Sequence, residues 1–101
     1  MSPDQIVYTN NGAEVRFDTD KDASNLRKHG LSLSSWDQVD WLFAEEDNRK
    51  DYGETRYRII GLWAARPYMA VLATRGREVR IISLRPMHSK EYKRYARQIT
   101  P

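Results

Sequence analysis

The chain contains no cysteine, which excludes a disulfide framework and a thiolate zinc site and fits a cytosolic protein. No stretch approaches the ~20 consecutive apolar residues that a bilayer-spanning helix needs, so no membrane partner is expected. Met1-Ser2-Pro3-Asp4-Gln5 has no basic segment followed by an apolar one, so no secretory signal is expected either. The two histidines, His29 and His88, are far apart. There is no His-x-x-x-His pair, no acidic cluster at metal spacing, no P-loop and no Gly-rich dinucleotide fingerprint, so neither a metal nor a cofactor is expected. No Ser-His-Asp arrangement can be drawn. Repeats, low-complexity segments and linkers are missing too. The 101 residues read as one domain over 1–101. A chain of that length buries roughly 65% of its unfolded surface and needs no metal or disulfide to hold it.

Acidic residues are scarce in the second half. Residues 1–55 hold six Lys/Arg against twelve Asp/Glu, a balance of −6, whereas residues 56–101 hold eleven against two (Glu78 and Glu91), a balance of +9. Small basic domains are often merely soluble, but an asymmetry of this size favours a C-terminal half that binds a polyanion: nucleic acid, or an acidic protein segment.

Asn11-Gly12 between the apolar stretches 5–8 and 13–17 is a hairpin signal. Asp18, Thr19 and Asp20 are N-cap candidates for a short, mostly polar helix over 21–29, with Gly30 as its left-handed stop and Ala23 and Leu26 as its shallow buried edge. Ser34-Ser35-Trp36-Asp37 opens a second predicted helix, with Trp36, Val39, Leu42 and Phe43 at helical spacing and Trp41 off that face. Residues 44–53 read as a loop. Three strands follow, over 55–63, 68–75 and 78–85, joined by a Pro-containing turn at 64–67 and a two-residue turn at Gly76-Arg77. Pro86 ends the third. Ser89 is the expected cap of a last helix reaching Ile99, with Tyr92, Tyr95, Ala96 and Ile99 on one face.

The turns set a register. A two-residue loop at 76–77 puts Arg75 opposite Glu78, Ala73 opposite Arg80, Val71 opposite Ile82 and Met69 opposite Leu84. A four-residue loop at 64–67 puts Arg56 opposite Arg75, Arg58 opposite Ala73 and Ile60 opposite Val71. Cross-strand partners share a face. One face then carries Arg56, Arg58, Arg75 and Arg80 at one end, with Ile60, Leu62, Met69, Val71, Ile82 and Leu84 at the other. The opposite face carries Tyr57, Ile59, Trp63, Tyr68, Leu72, Val79 and Ile81 and is assigned to the first two helices. The last helix would cover half of the arginine face. Alternation assigns Arg85 to the other face.

Four guanidinium groups on one sheet face repel one another unless an anion sits there, and guanidinium forks match phosphate oxygens. A metal-free phosphodiester cleavage site needs a base for the 2′-OH proton, an acid for the leaving oxygen, and cations for the developing charge. Arg80, Arg85 and Arg56 could supply the cations, and Glu91, Tyr95 or His29 the proton transfer. Each proton carrier also has a structural reading. Glu91 in a helix first turn stabilises the dipole anyway, Tyr95 fits a core, and His29 fits a helix cap. His88 fits a solvated loop. Tyr52, Tyr57 and Trp63 could stack on bases, although strand aromatics are usually core.

Several segments, in this order, resemble the BrnT family of toxins from type II toxin–antitoxin pairs. They are Phe17-Asp18-x-x-Lys21, Asn25-Leu26-Arg27-Lys28-His29-Gly30, Arg56-Tyr57 with Gly61, Thr74-Arg75-Gly76, Arg80-Ile81-Ile82-Ser83-x-Arg85, and Glu91 with Tyr95. The sequence departs from the usual pattern at Phe17, Thr19, 34–36, Leu84 and 86–88. The resemblance implies an α+β, RelE-like fold. On the register above, that is an antiparallel sheet with two N-terminal helices on one face and a C-terminal helix. It also implies a metal-independent endoribonuclease that blocks translation. A BrnA-like ribbon-helix-helix antitoxin would neutralise it, and the pair would bind its own promoter DNA. Its matching polar positions are Lys21, Lys28, His29, Arg56, Arg80, Arg85, Glu91 and Tyr95. The rival reading is a basic module that binds an acidic antitoxin segment or nucleic acid without cutting.

Overall fold

The computed structural model describes residues 4–8, 14–48, 51 and 53–99, the first five and the last two by their backbone alone. The expected turn at 9–12, Tyr52, and residues 49–50 of the expected loop lie outside the described residues. Among the described residues six strands, β1 (Asp4–Tyr8), β2 (Glu14–Asp18), β3 (Asp40–Glu46), β4 (Thr55–Trp63), β5 (Arg66–Arg75) and β6 (Glu78–Pro86), form one sheet in the order β1-β2-β6-β5-β4-β3. All neighbours are antiparallel except β2 and β6, which run parallel and meet at Arg16 and Arg80. Two helices, α1 (Thr19–His29) and α2 (Ser89–Ile99), complete an α+β arrangement. Among the described residues no helix is long and apolar enough to cross a membrane.

Helix α1 begins two residues before the expected 21, with Asp18, the first of the three cap candidates, as its N-cap. Asp18, in extended conformation, accepts hydrogen bonds from the Asp20 and Lys21 amides at 2.6 and 3.4 Å, satisfying donors that the first turn leaves open. Gly30 ends it at φ 71° and donates its N–H to the Leu26 carbonyl at 2.8 Å. The buried edge is not the expected one. Ala23 and Leu26 are exposed, and the buried residue is Asn25. Its Nδ2 donates to the carbonyls of Leu84 (2.8 Å) and Leu31 (2.9 Å), and its Oδ1 accepts from the Leu84 amide at 3.0 Å. The reason lies in β6. Strand β2 pairs with it only at Arg80, so the Leu84 backbone faces no strand on that side. A carboxamide has both a donor and an acceptor, and Asn25 completes the ladder in place of a strand.

The second predicted helix is replaced by a 3-10 turn at Leu33–Gln38 followed by β3. Asp22 Oδ1 accepts from the Leu33 amide (2.6 Å) and the Ser32 hydroxyl (2.9 Å), tying the turn to α1. Residues 40–46 alternate between exposed and half-buried, the period of a strand and not a helix. Residues 44–46, expected as loop, belong to this strand. Trp41, the residue that fell off the helical face, stacks on Trp36 with centroids 4.4 Å apart and donates its indole N–H to the Trp36 carbonyl at 3.1 Å. Gly61 of β4 lies against Asp40 so closely that a Cβ would collide with the Asp40 carbonyl and Trp41 Cα. That close approach accounts for a glycine inside a strand.

The turn between β4 and β5 is Ala64-Ala65, both at positive φ (52° and 64°), so the loop has two residues and not four. Arg56 consequently faces Ala73, Arg58 faces Val71 and Ile60 faces Met69. The shift is two residues, which preserves the face of every side chain. Between β5 and β6, Arg75 faces Glu78 and Ala73 faces Arg80, as expected. Then the register slips: Leu72 faces Ile81, but Val71 faces Ser83, and Ile82 has no partner in β5. This bulge moves Leu84 opposite Ala70 and Arg85 opposite Met69. The expected faces of Leu84 and Arg85 are therefore exchanged.

Two cores result. On one face Ala70, Leu72, Ile81 and Leu84 pack with Val15, Phe17, Leu33, Trp36 and Val39, so α1 and the 3-10 turn cover that side. On the arginine face Ile60, Met69 and Met87 pack with Phe43, Tyr92 and Tyr95, so α2 covers only the far end of it. Helix α2 starts at Ser89, and its first backbone bond runs from the Tyr92 amide to the His88 carbonyl at 2.9 Å. The capping position is thus His88, not Ser89.

Candidate functional site

The uncovered end of the arginine face is a cleft of about 320 Å³ lined by Asp18, Lys21, Glu54, Arg56, Ala73, Thr74, Arg75, Glu78, Arg80, Ile81 and Ile82. Ala73 is buried and lies between Arg56 and Arg80 in the register. Its small side chain makes the floor, and the two arginines flank it. The site draws on three parts of the chain: the start of α1, the ends of β4 and β5 nearest the 76–77 turn, and the first half of β6.

The expectation that these arginines need an external anion is corrected here. Arg56 pairs with Glu54 at 3.1 Å, Arg75 with the same carboxylate at 3.4 Å, and Arg80 with Glu78 at 2.7 Å. Glu54 and Glu45 were missed as partners because one lay beside a segment read as loop and the other within it. The pairs are partly solvated, with side-chain exposures of 33% for Arg80 and 41% for Glu78. Such pairs are weak enough to exchange for a stronger anion. Arg58 behaves differently. It faces Glu45 directly across the β3–β4 pair and bonds it at 2.6 Å, outside the cleft lining. Its role there is to fasten β3 to the sheet.

Arg85, Glu91 and Tyr95 form a second group at the covered end. The bulge at Ile82 brings Arg85 to this face, where it grips Glu91 through both nitrogens at 2.9 and 2.7 Å and touches Met69 Sδ at 3.4 Å. The hydrogen-bonded Arg85 guanidinium holds the Glu91 carboxyl below its ordinary value, assisted by the His88 backbone amide, and Glu91 in turn raises Arg85. A carboxylate so held is poorly suited to carry a proton near neutral pH. Tyr95 tilts against Phe43 with centroids 6.1 Å apart and packs on the core. Because the folded value of Glu91 lies below the unfolded one, its ionised form stabilises the fold above the ordinary value of 4.5. That contribution is lost as pH falls below it. Glu91→Gln is expected to lower the urea midpoint at pH 7, and the deficit against wild type should shrink as the pH is taken below 4.5. A deficit that does not vary with pH would contradict this.

Lys28 and His29 line a third place. A cleft of about 210 Å³ between α1 and β6 is bounded by Lys21, Ser24, Asn25, Lys28, His29, Ile82 and Ser83. His29 also borders a separate depression of about 350 Å³ with Leu31, Arg66, Pro67, Tyr68, Pro86 and Met87. None of Glu91, Tyr95 and His29 lines the arginine cleft. Trp63 packs against Tyr68 with centroids 5.5 Å apart and on the core, as a structural aromatic. Asn25 and Ile82 carry structure that residue chemistry did not single out. The one available signal was that Asn25 opens the NLRKHG segment and Ile82 lies in the RIIS-x-R segment. These two stretches are the ones that Asn25 joins.

Among the described residues no three His, Asp or Glu side chains come together as a metal site. Residues 17–91 match the family described as "Ribonuclease toxin, BrnT, of type II toxin-antitoxin system". No curated protein matches the chain.

Proposed function

Since the chain belongs to the BrnT family, the ribonuclease toxins of type II toxin–antitoxin systems, we propose that it cleaves RNA internally, without a metal ion, at the arginine cleft. The observation that carries this reading is the convergence of Lys21, Arg56, Arg75 and Arg80 on one open cleft with an apolar floor. Guanidinium groups there would trade their carboxylate partners for phosphate oxygens and stabilise the charge that develops as the 2′-oxygen bonds to phosphorus and the P–O5′ bond breaks. Glu91 holds Arg85 in place. The carboxylates Glu54 and Glu78 that the phosphate would release line this cleft and could take the 2′-OH proton and return one to the leaving 5′-oxygen, whereas His29 lies outside it.

A type II toxin has a protein antitoxin as its partner. We propose that this one is BrnA-like, with a ribbon-helix-helix part that takes the pair to its promoter DNA, and that an acidic segment of it occupies the cationic cleft. Cleavage of cytoplasmic RNA would then block translation. Purified chain incubated with RNA is expected to cut it equally with and without EDTA, and expression of the chain alone should stop growth. Cleavage abolished by EDTA would overturn the metal-free mechanism. RNA that is bound with steep salt dependence but left intact would replace the nuclease by a binding module. The partly solvated ion pairs of the cleft, which can exchange for another anion without any bond being cut, support that second reading.

A further inference from the structure

The two clefts that share Lys21 and Ile82 are, we infer, one continuous track for single-stranded RNA, in which Ile82 seats a base and Lys28 holds a phosphate beyond it. This rests on the RNA reading above and extends it from a cleavage cleft to a binding register.

Ile82 is an unusual strand residue. The bulge leaves it without a partner in β5, and β2 has stopped pairing with β6 at Arg80. Although apolar and only partly buried, it belongs to neither core cluster nor to the residues packed on them. Its neighbour Ile81 is 1% exposed in one of those cores. The side chain instead borders both clefts. An apolar surface between two cationic rims is what an unstacked base and its flanking phosphates require.

The helix side fits the same register. Lys21, Lys28 and His29 of α1 stand at spacings of seven and eight residues, two turns along one face, with Asn25 between them bound to β6. The backbone at the two lysines is therefore fixed relative to Ile82. At about 320 Å³ the arginine cleft lies just above the lower bound of an ordinary small-molecule site, about 300 Å³, and at about 210 Å³ its neighbour lies below it.

The test uses the full chain and fluorescein-labelled hexanucleotides of 2′-O-methyl adenosine or uridine, which offer no 2′-OH for cleavage. Affinity is read by anisotropy across a salt series. Ile82→Thr keeps the β-branched shape and is expected to weaken binding about tenfold, or about 1.4 kcal/mol, with an unchanged salt slope. Ile82→Val should bind as wild type. Lys28→Ala should reduce the slope by about 0.7, one phosphate contact on a single strand. Wild-type affinity in Ile82→Thr, or an unchanged slope in Lys28→Ala, overturns the track while leaving the arginine cleft standing. No salt-dependent binding by wild type overturns the RNA reading and the track together. Thermal melts of each variant at wild-type position tie any loss to the ligand.

Discussion

Replacing Arg80 by alanine is expected to slow RNA cleavage by about 100-fold or more, the cost of removing one preorganised charge donor from a transition state. Arg80 combines position and surroundings in a way that its neighbours do not. It faces buried Ala73, so no bulky side chain opposite it competes for the space above the floor. Its parallel neighbour is Arg16, which is paired with Glu14 at 3.5 Å. The ion pair with Glu78 holds the guanidinium at the cleft. Stability should change little, by less than about 1 kcal/mol, because the pair is partly solvated. Lysine at this position keeps the charge and loses the fork, so Arg80→Lys should fall between, at about a tenfold loss. Initial rates on a short oligoribonucleotide, with far-ultraviolet circular dichroism melts of the same preparations, check both statements. Wild-type rates in Arg80→Ala would remove the arginine from the chemistry.

Much of this site was legible because its errors came in even numbers. Reading the β4–β5 turn as four residues moved Arg56 and Arg58 by two places along β5, yet both stayed on the face of Arg75 and Arg80. Nothing in Ala64-Ala65 announces a pair of positive φ values, whereas Pro67 looks like a breaker. It sits instead as the second residue of β5, opposite Leu62. The Gly76-Arg77 turn is marked by its glycine, and the pairs beside it were read correctly. An odd error is less forgiving. The bulge at Ile82 contains no glycine and has no residue signature, so simple alternation sent Arg85 to the wrong face and hid its bond to Glu91. The helix expected over 36–43 failed on a different ground. Trp36, Val39, Leu42 and Phe43 satisfy a helical period, but Trp41 does not, and in the structure Trp41 and Phe43 pack on opposite cores across a register shift in the β3–β4 pair. The misfit at Trp41 was the informative residue.

Asn25→Ala is expected to cost about 3 kcal/mol of unfolding free energy. The substitution leaves the Leu84 amide and carbonyl without their partners in a place where Leu84 is fully buried, and it also removes a donor from the Leu31 carbonyl. Asn25→Asp separates the contributions. It keeps an acceptor for the Leu84 amide but sets a carboxylate against two carbonyl oxygens, so it should be at least as damaging as alanine near neutral pH. Urea denaturation gives the size of each loss. A cost below about 1 kcal/mol for alanine would mean that water reaches the β6 edge and satisfies it. The effect should extend beyond stability. Asn25 lies four residues from Lys21 and three and four from Lys28 and His29, on the same side of α1. It is the pin that holds those charges against β6. Asn25→Ala should therefore weaken RNA binding at temperatures where the protein is still folded, by loosening α1 without removing a charge. Its salt slope should stay near that of wild type, whereas Lys21→Ala and Lys28→Ala should each lower theirs. An Asn25→Ala protein that is destabilised yet binds RNA with full affinity below its melting range would show that the helix keeps its place without the pin.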